Sequence, residues 1–155
     1  YRGSEFVTQK IIESAVKIKH GSKEPIYLGN IDAKRDWGYA KDYVEGMYLM
    51  LQQENPSDYI LATNKTTSVR DFIVLTFNTL GINVNWKGEG INEKGYDENG
   101  NILVEISEQF YRPAEVNLLI GNYAKAHKNL GWTPTTNLKR LVEIMINHAI
   151  IRFNR

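Results

Sequence analysis

Apolar side chains recur at helical spacing over the first twenty residues. Phe6, Val7, Ile11, Ile12, Ala15, Val16 and Ile18 share one face of a helix predicted over 5–20. Ser4 suits its start as a cap and Gly21 its stop. The run IYLGN, 26–30, has short-strand chemistry and leads into NIDAKRDWGYAKDY, 30–43. There a second stripe begins, with Ala40, Tyr43, Val44, Met47 and Leu51 defining a helix that ends before Pro56. YILAT, 59–63, again reads as a strand. In SVRDFIVLTFNTLG, 68–81, Ser68 and Asp71 resemble a capping box, Val69, Phe72, Ile73, Phe77 and Leu80 make the apolar face, and Gly81 ends the helix.

INVNW, 82–86, has strand character, whereas KGEGINEKGYDENGN, 87–101, is rich in Gly, Asn and charge and predicts an exposed hairpin or flexible loop. Its Asn99-Gly100 pair is a turn signal before the strand ILVEI, 102–106. Asn122 suits the cap of a short helix from Tyr123 to Leu130 that Gly131 terminates. Thr135 or Thr136 then starts a last helix with Leu138, Leu141, Val142, Met145, Ala149 and Phe153 on one face. No repeat is visible. Strands interleaved with helices place the chain in the α/β class, with a small mixed sheet.

Composition narrows the picture. A chain of 155 residues suits one domain, which buries roughly 68–70% of its unfolded surface. The 19 Lys and Arg nearly balance 18 Asp and Glu, for a net charge of +1, so a broad polybasic surface for nucleic acid or membrane is not expected, although a local basic pocket for a small anion is. Cys is absent, which removes disulfides, thiolate metal sites and a thiol nucleophile and fits a reducing cytoplasm. His20, His127 and His148 lack metal-ligand spacing, so no metal site is expected. No apolar run reaches the ~18–20 residues of a membrane span, and no signal peptide is evident. The opening YRGSEF lacks an initiating Met and reads as cut from something longer.

Catalytic motifs are missing. Neither G-x-G-x-x-G nor G-x-x-x-x-G-K-[ST] occurs, G-x-S-x-G is absent, and the carboxylates of Glu105 and Glu108 read as solvated. No catalytic residue is assigned. What remains is cationic: Lys34 and Arg35 stand where a loop becomes a helix, and Arg112 sits in YRPAEV beside a Pro that fixes the local backbone. Two converging guanidinium forks suit a diphosphate. The plain alternative is a surface position for each, or an ion pair with Asp36 or Glu115.

The segments RGSEFVTQKI, LGNIDAKRDWGYAKDYVEGMYLML, SVRDF and YRPAEVNLLIGNYAKAHKNLGWTP, in this order, resemble the C-terminal half of the GDP-mannose 4,6-dehydratases, which are extended short-chain dehydrogenase/reductases. The Arg-Asp-aromatic and Arg-Pro motifs are shared with many nucleotide-sugar epimerases and dehydratases. FVTQK joined to GNIDAKRDWGYAKDYVEGM is narrower.

The resemblance implies the substrate-binding portion of a two-part lyase whose N-terminal Rossmann half, absent here, binds NADP. That half also carries the family's Tyr-x-x-x-Lys motif, which this sequence lacks. The family oxidises GDP-mannose at C4 of the sugar, eliminates water across C5 and C6, and returns the hydride at C6. By the same resemblance Val7 and Lys10 belong to the nucleotide site, Arg35 and Arg112 to the diphosphate, Glu115 to the ribose hydroxyls, and Arg2 to the cofactor's edge. Lys34 solvates the loop, Asp36, Trp37 and Gly38 shape its turn, and Trp37 and Tyr43 pack. The implied partner is GDP-mannose, and the isolated chain is expected to be inactive. The alternatives are the substrate domain of another nucleotide-sugar reductase or epimerase, or a stand-alone nucleotide-sugar-binding module.

Overall fold

A computed structural model describes Gly3, residues 5–111 and residues 116–154. Helix α1, Val7–Lys19, buries Ile11, Ile12, Ala15 and Val16. Its start is two residues later than the pattern predicts: Phe6 occupies the cap position without a side-chain bond, and Ser4 lies outside the described residues. At its end the Gly21 N–H donates to Ile18 O (2.9 Å) and the Ser22 N–H to Lys17 O (3.0 Å). This Schellman pairing needs the left-handed φ of +102° at Gly21. Helix α3, Val69–Thr79, ends the same way through Gly81, and Ser68 caps its start by accepting from the Asp71 N–H. Helix α5, Leu138–Phe153, is capped by Asn137 and not by either threonine. The hydroxyls and amides of Thr135 and Thr136 are occupied by the Asp42 carboxylate instead.

The main sheet has the order β1-β6-β5-β4, with β1 at Ile26–Leu28, β4 at Asn85–Lys87, β5 at Lys94–Tyr96 and β6 at Ile102–Ile106. β1 runs parallel to β6 in the register Ile26↔Val104 and Leu28↔Ile106, while the other pairs are antiparallel. The mixed sheet follows from chain order: hairpins join β4, β5 and β6, but β1 comes from far upstream. Strand β5 lies inside the segment expected to be a hairpin or loop. It is held by the Lys94–Glu105 ion pair (2.7 Å) across to β6 and by a turn in which Asp97 Oδ1 accepts from the amides of Asn99 and Asn101. Hydrogen bonds from Asn101 hold the Asp97 carboxyl below its usual range. Glu105 is thus paired, not merely solvated.

Helices α1, α3 and α5 pack on one another and over β1 and β6, with Phe72, Ile73, Phe77, Leu103, Val104 and Val142 sealed from solvent. On the sheet's flank, Arg70 forks onto Glu93 (2.6 and 2.9 Å), touches Asp32 and covers the Trp86 ring. These bonds raise the already high guanidinium pKa.

A second layer departs from the pattern. Helix α2, Ala40–Leu51, forms as predicted, yet its buried residues are Asp42 and Gly46, and its apolar stripe faces outward. A two-stranded ladder pairs β2, Lys34–Arg35, with β3, Thr67–Ser68. Residues 59–63, expected as a strand, have no regular secondary structure and join no sheet. The Asp36 carboxylate takes the Thr63 and Asn64 amides that a neighbouring strand would have bonded. Helix α4, Ala124–Leu130, completes the layer, with Asn122 accepting from the Ala124 N–H and Gly131 left-handed at its end.

Candidate functional site

Parallel strands open a crevice at their carboxyl ends, where the emerging loops diverge. Here those ends belong to β1 and β6. The Ser107 N–H donates to Leu28 O (2.8 Å), and a short turn over Glu108–Phe110 folds back across Gly29. A Cβ at Gly29 would collide with the Phe110 carbonyl, so the glycine permits this close crossing.

Lys10 reaches the same edge from the first turns of α1. Its Nζ donates to Tyr27 O (2.6 Å) and lies 3.7 Å from the centre of the Phe110 ring. Burial lowers the pKa of this ammonium, because its hydration is only partly replaced. An anion beside it would restore the lost solvation. Lys10, Ser14, Lys17, Ser22, Glu24 and Phe110 line a recess of about 300 Å³, where two ammonium groups face one carboxylate and the formal balance is weakly positive.

Arg35 stands at the end of β2. Its Nη1 donates to the carbonyls of Lys34 (2.9 Å) and Val116 (2.7 Å). The neighbouring residues hold the same segment: the Lys34 N–H donates to Asn117 O, Lys34 O accepts from the Leu119 N–H, and Asp36 Oδ2 accepts from the Gly121 N–H. Asp36 also accepts from the Thr63 hydroxyl (2.6 Å) and from the amide of Asn64, which is left-handed at φ +58°. One carboxylate therefore ties together three pieces of chain around a second recess, of about 420 Å³, lined by Arg35, Trp37, Ile60 and Leu119 among others. Trp37 packs on Phe72 and Tyr43 on Trp132. Burial, with Asp36 and Asp42 nearby, raises the Tyr43 phenol pKa.

Of the residues expected at the site, Lys10 and Arg35 line separate recesses. Val7 is half-buried against the core at the start of α1. Arg2, Arg112 and Glu115 lie outside the described residues. Phe110, at Lys10, and Val116, at Arg35, bound in sequence the stretch that contains Arg112 and Glu115. Tyr27 and Phe110 were not singled out by the sequence, since a main-chain acceptor and a ring beside a lysine leave no periodic signal. Among the described residues no group of three or more His, Asp or Glu is arranged to hold a metal ion, and no helix is long and apolar enough to cross a membrane.

The family description "GDP-mannose 4,6 dehydratase" matches residues 1–145. The chain belongs to the GDP-mannose 4,6-dehydratase family. It is 49% identical to the GDP-mannose 4,6 dehydratase of Dictyostelium discoideum over 146 residues, 94% of this chain and 41% of that protein. It is 44% identical to the human GDP-mannose 4,6 dehydratase over 155 residues, again 41% of that protein. The chain thus spans about two fifths of these relatives. Among solved structures, RMD from Pseudomonas aeruginosa complexed with NADPH superposes with a TM-score of 0.76 at 18% identity, covering 97% of this chain and 44% of that one. UDP-glucose 4-epimerase from Bifidobacterium longum, solved with NAD+ and UDP, gives 0.71 at 18% identity, over 96% and 40%. The chain therefore has the mixed α/β fold shared by part of each of these proteins.

The turn after β1 in this dehydratase-family chain does not fit a dinucleotide. A pyrophosphate cradle needs an open glycine turn between a strand and a helix N-terminus. After β1 the chain instead enters a loop, and Gly29 is covered by Phe110.

Proposed function

We propose that this chain is the GDP-sugar-recognising portion of a GDP-mannose 4,6-dehydratase. Lys10 and Val7 contact the nucleotide, Arg35 and Arg112 hold the diphosphate, and Glu115 accepts hydrogen bonds from the ribose hydroxyls. Arg2 touches the edge of NADP, which is bound mainly by residues beyond this chain. NADP when bound supplies hydride chemistry; the residues here bind and orient the sugar nucleotide. The observation that carries this reading is family membership over residues 1–145, and the recesses that hold the Lys10 ammonium and the Arg35 guanidinium are its physical counterpart. A planar guanidinium matches two phosphate oxygens, and a carboxylate accepts two hydroxyl protons.

The test is calorimetric titration of the 155-residue chain with GDP-mannose, GDP and mannose 1-phosphate, followed by incubation with GDP-mannose and NADP. Saturable heat with both GDP ligands, little with mannose 1-phosphate, and no 4-keto sugar are expected. Absence of heat with either GDP ligand would refute recognition, and reproducible turnover would refute the division of labour.

A further inference from the structure

Asn99 stands in the turn between β5 and β6 and is the one asparagine of this chain that precedes a glycine. Its neighbours are tied down. Asp97 Oδ1 accepts from the Asn99 and Asn101 amides (2.9 and 2.8 Å), its Oδ2 accepts from Asn101 Nδ2 (2.8 Å), and Glu98 Oε1 accepts from Asn83 Nδ2 (2.5 Å). The Asn99 carboxamide, in contrast, is exposed and carries no hydrogen bond among the described residues, so its Cγ is free to swing onto the next main-chain nitrogen. That nitrogen belongs to Gly100, which is left-handed at φ +81° and has open space where a Cβ would stand. Its N–H donates to Asp97 O at 3.2 Å, the long limit of such a bond, and is weakly held. The nearby asparagines differ in both respects. Asn101 is tied to Asp97 and precedes Ile102, and Asn83 is tied to Glu98 and precedes Val84; a β-branched side chain crowds its own main chain.

We propose that Asn99 is a site of spontaneous deamidation, at which the folded turn converts itself into an aspartyl or isoaspartyl linkage. Hydroxide takes the Gly100 N–H proton and the nitrogen attacks Asn99 Cγ. The new C–N bond closes a succinimide ring as the Cγ–Nδ2 bond breaks, and ammonia leaves with a proton taken from water. A water molecule then adds to one of the two ring carbonyls and breaks that carbon's bond to the Gly100 nitrogen. Opening at Cγ gives aspartate. Opening at the main-chain carbonyl gives isoaspartate, in which the chain runs through Cβ and Cγ. Water is consumed and ammonia released, and nothing is oxidised or reduced. Either product sets a third carboxylate beside Asp97 and Glu98, where like charges repel. The isoaspartyl form also adds a main-chain carbon to the turn that fixes the Tyr96↔Ile102 pairing, and this end of the hairpin loosens. The modification is independent of the function proposed above.

The test ages the folded 155-residue chain in mildly alkaline buffer made with heavy-oxygen water and maps its peptides by mass spectrometry. Heavy oxygen should enter residue 99 before any other asparagine, in part as isoaspartate recognised by its fragment ions, and the melting temperature should fall as the label enters. Asn99→Gln, whose longer side chain would have to close a larger ring, should keep the circular dichroism of the wild type and lose the label. Gly100→Ala, which places a methyl group beside the attacking nitrogen, should slow it. Label that enters first at Asn83, Asn101 or any other asparagine, label that enters only after unfolding in urea, label in this turn that persists in Asn99→Gln, or a melting temperature that stays constant as residue 99 is labelled would overturn the proposal.

Discussion

The two helical layers use similar amphipathic sequences in opposite senses. α1, α3 and α5 turn their apolar stripes toward β1 and β6, leaving Ile11, Phe72, Phe77 and Val142 without exposed surface. α2 turns its stripe to solvent and directs Asp42 inward, where that carboxylate meets four donors from Thr135 and Thr136 and its main-chain carbonyl accepts from the Trp132 indole (2.7 Å). The first layer is closed by burial, which is non-directional. The second is closed by carboxylates that each gather several donors, an arrangement that fixes geometry but leaves apolar area exposed. The two candidate recesses fall one in each layer, with Lys10 in the first and Arg35 in the second.

Substitution should separate the layers by size of effect. Phe77→Ala leaves a cavity in the closed layer and should cost about 3–5 kcal/mol. Asp42→Ala strands buried donors and should cost about 2–3 kcal/mol. Val44→Asp alters only exposed surface and should stay within about 0.5 kcal/mol. Urea unfolding of the 155-residue chain measures all three. A cost for Val44→Asp near that of Phe77→Ala would mean that α2 is already covered, and the contrast between layers would fail.

This contrast also marks what was legible in the sequence. Periodicity located α1, α2, α3 and α5, the Asn122 and Gly131 signals located α4, and Gly21, Gly81 and Gly131 ended three of these helices, because amphipathic spacing and left-handed glycine act locally. Periodicity did not indicate which way α2 faces, since a stripe records that a face is apolar and not what covers it. The run 59–63 has strand chemistry, but a strand exists only with a partner, and Asp36 takes its Thr63 amide. Strand β5 escaped for the opposite reason: Lys94, Gly95 and Tyr96 have no apolar alternation, and pairing to β6 makes the strand. Lys10 and Arg35 were singled out through resemblance and charge, whereas the cover that Tyr27 and Phe110 lay beside Lys10 depends on the crossing at Gly29.

A smaller effect should distinguish Lys10 from an exposed lysine. Its folded pKa lies below 10.5, so between the two values the unfolded chain holds more protons, and stability rises with pH across that window as the cost of the buried ammonium is relieved. GDP affinity should move the other way, falling as pH climbs through the lowered value and the cation is lost. In Lys10→Gln this alkaline decline should flatten. An unchanged decline in Lys10→Gln would assign the titration to another group.

The central claim is that Arg35, in the recess at the end of β2, holds the diphosphate of a GDP-sugar, and calorimetric titration of GDP-mannose into wild type, Arg35→Ala and Lys34→Ala tests it most directly. Circular dichroism of each variant checks that the fold is retained. Loss of a charge-assisted bond at Arg35 should weaken binding by about 1.5–3 kcal/mol, roughly tenfold or more, while removal of the exposed Lys34 side chain should change it less than about threefold. Equal, small changes for both, with the fold intact, would return Arg35 to a purely structural role on the Val116 carbonyl and contradict the account.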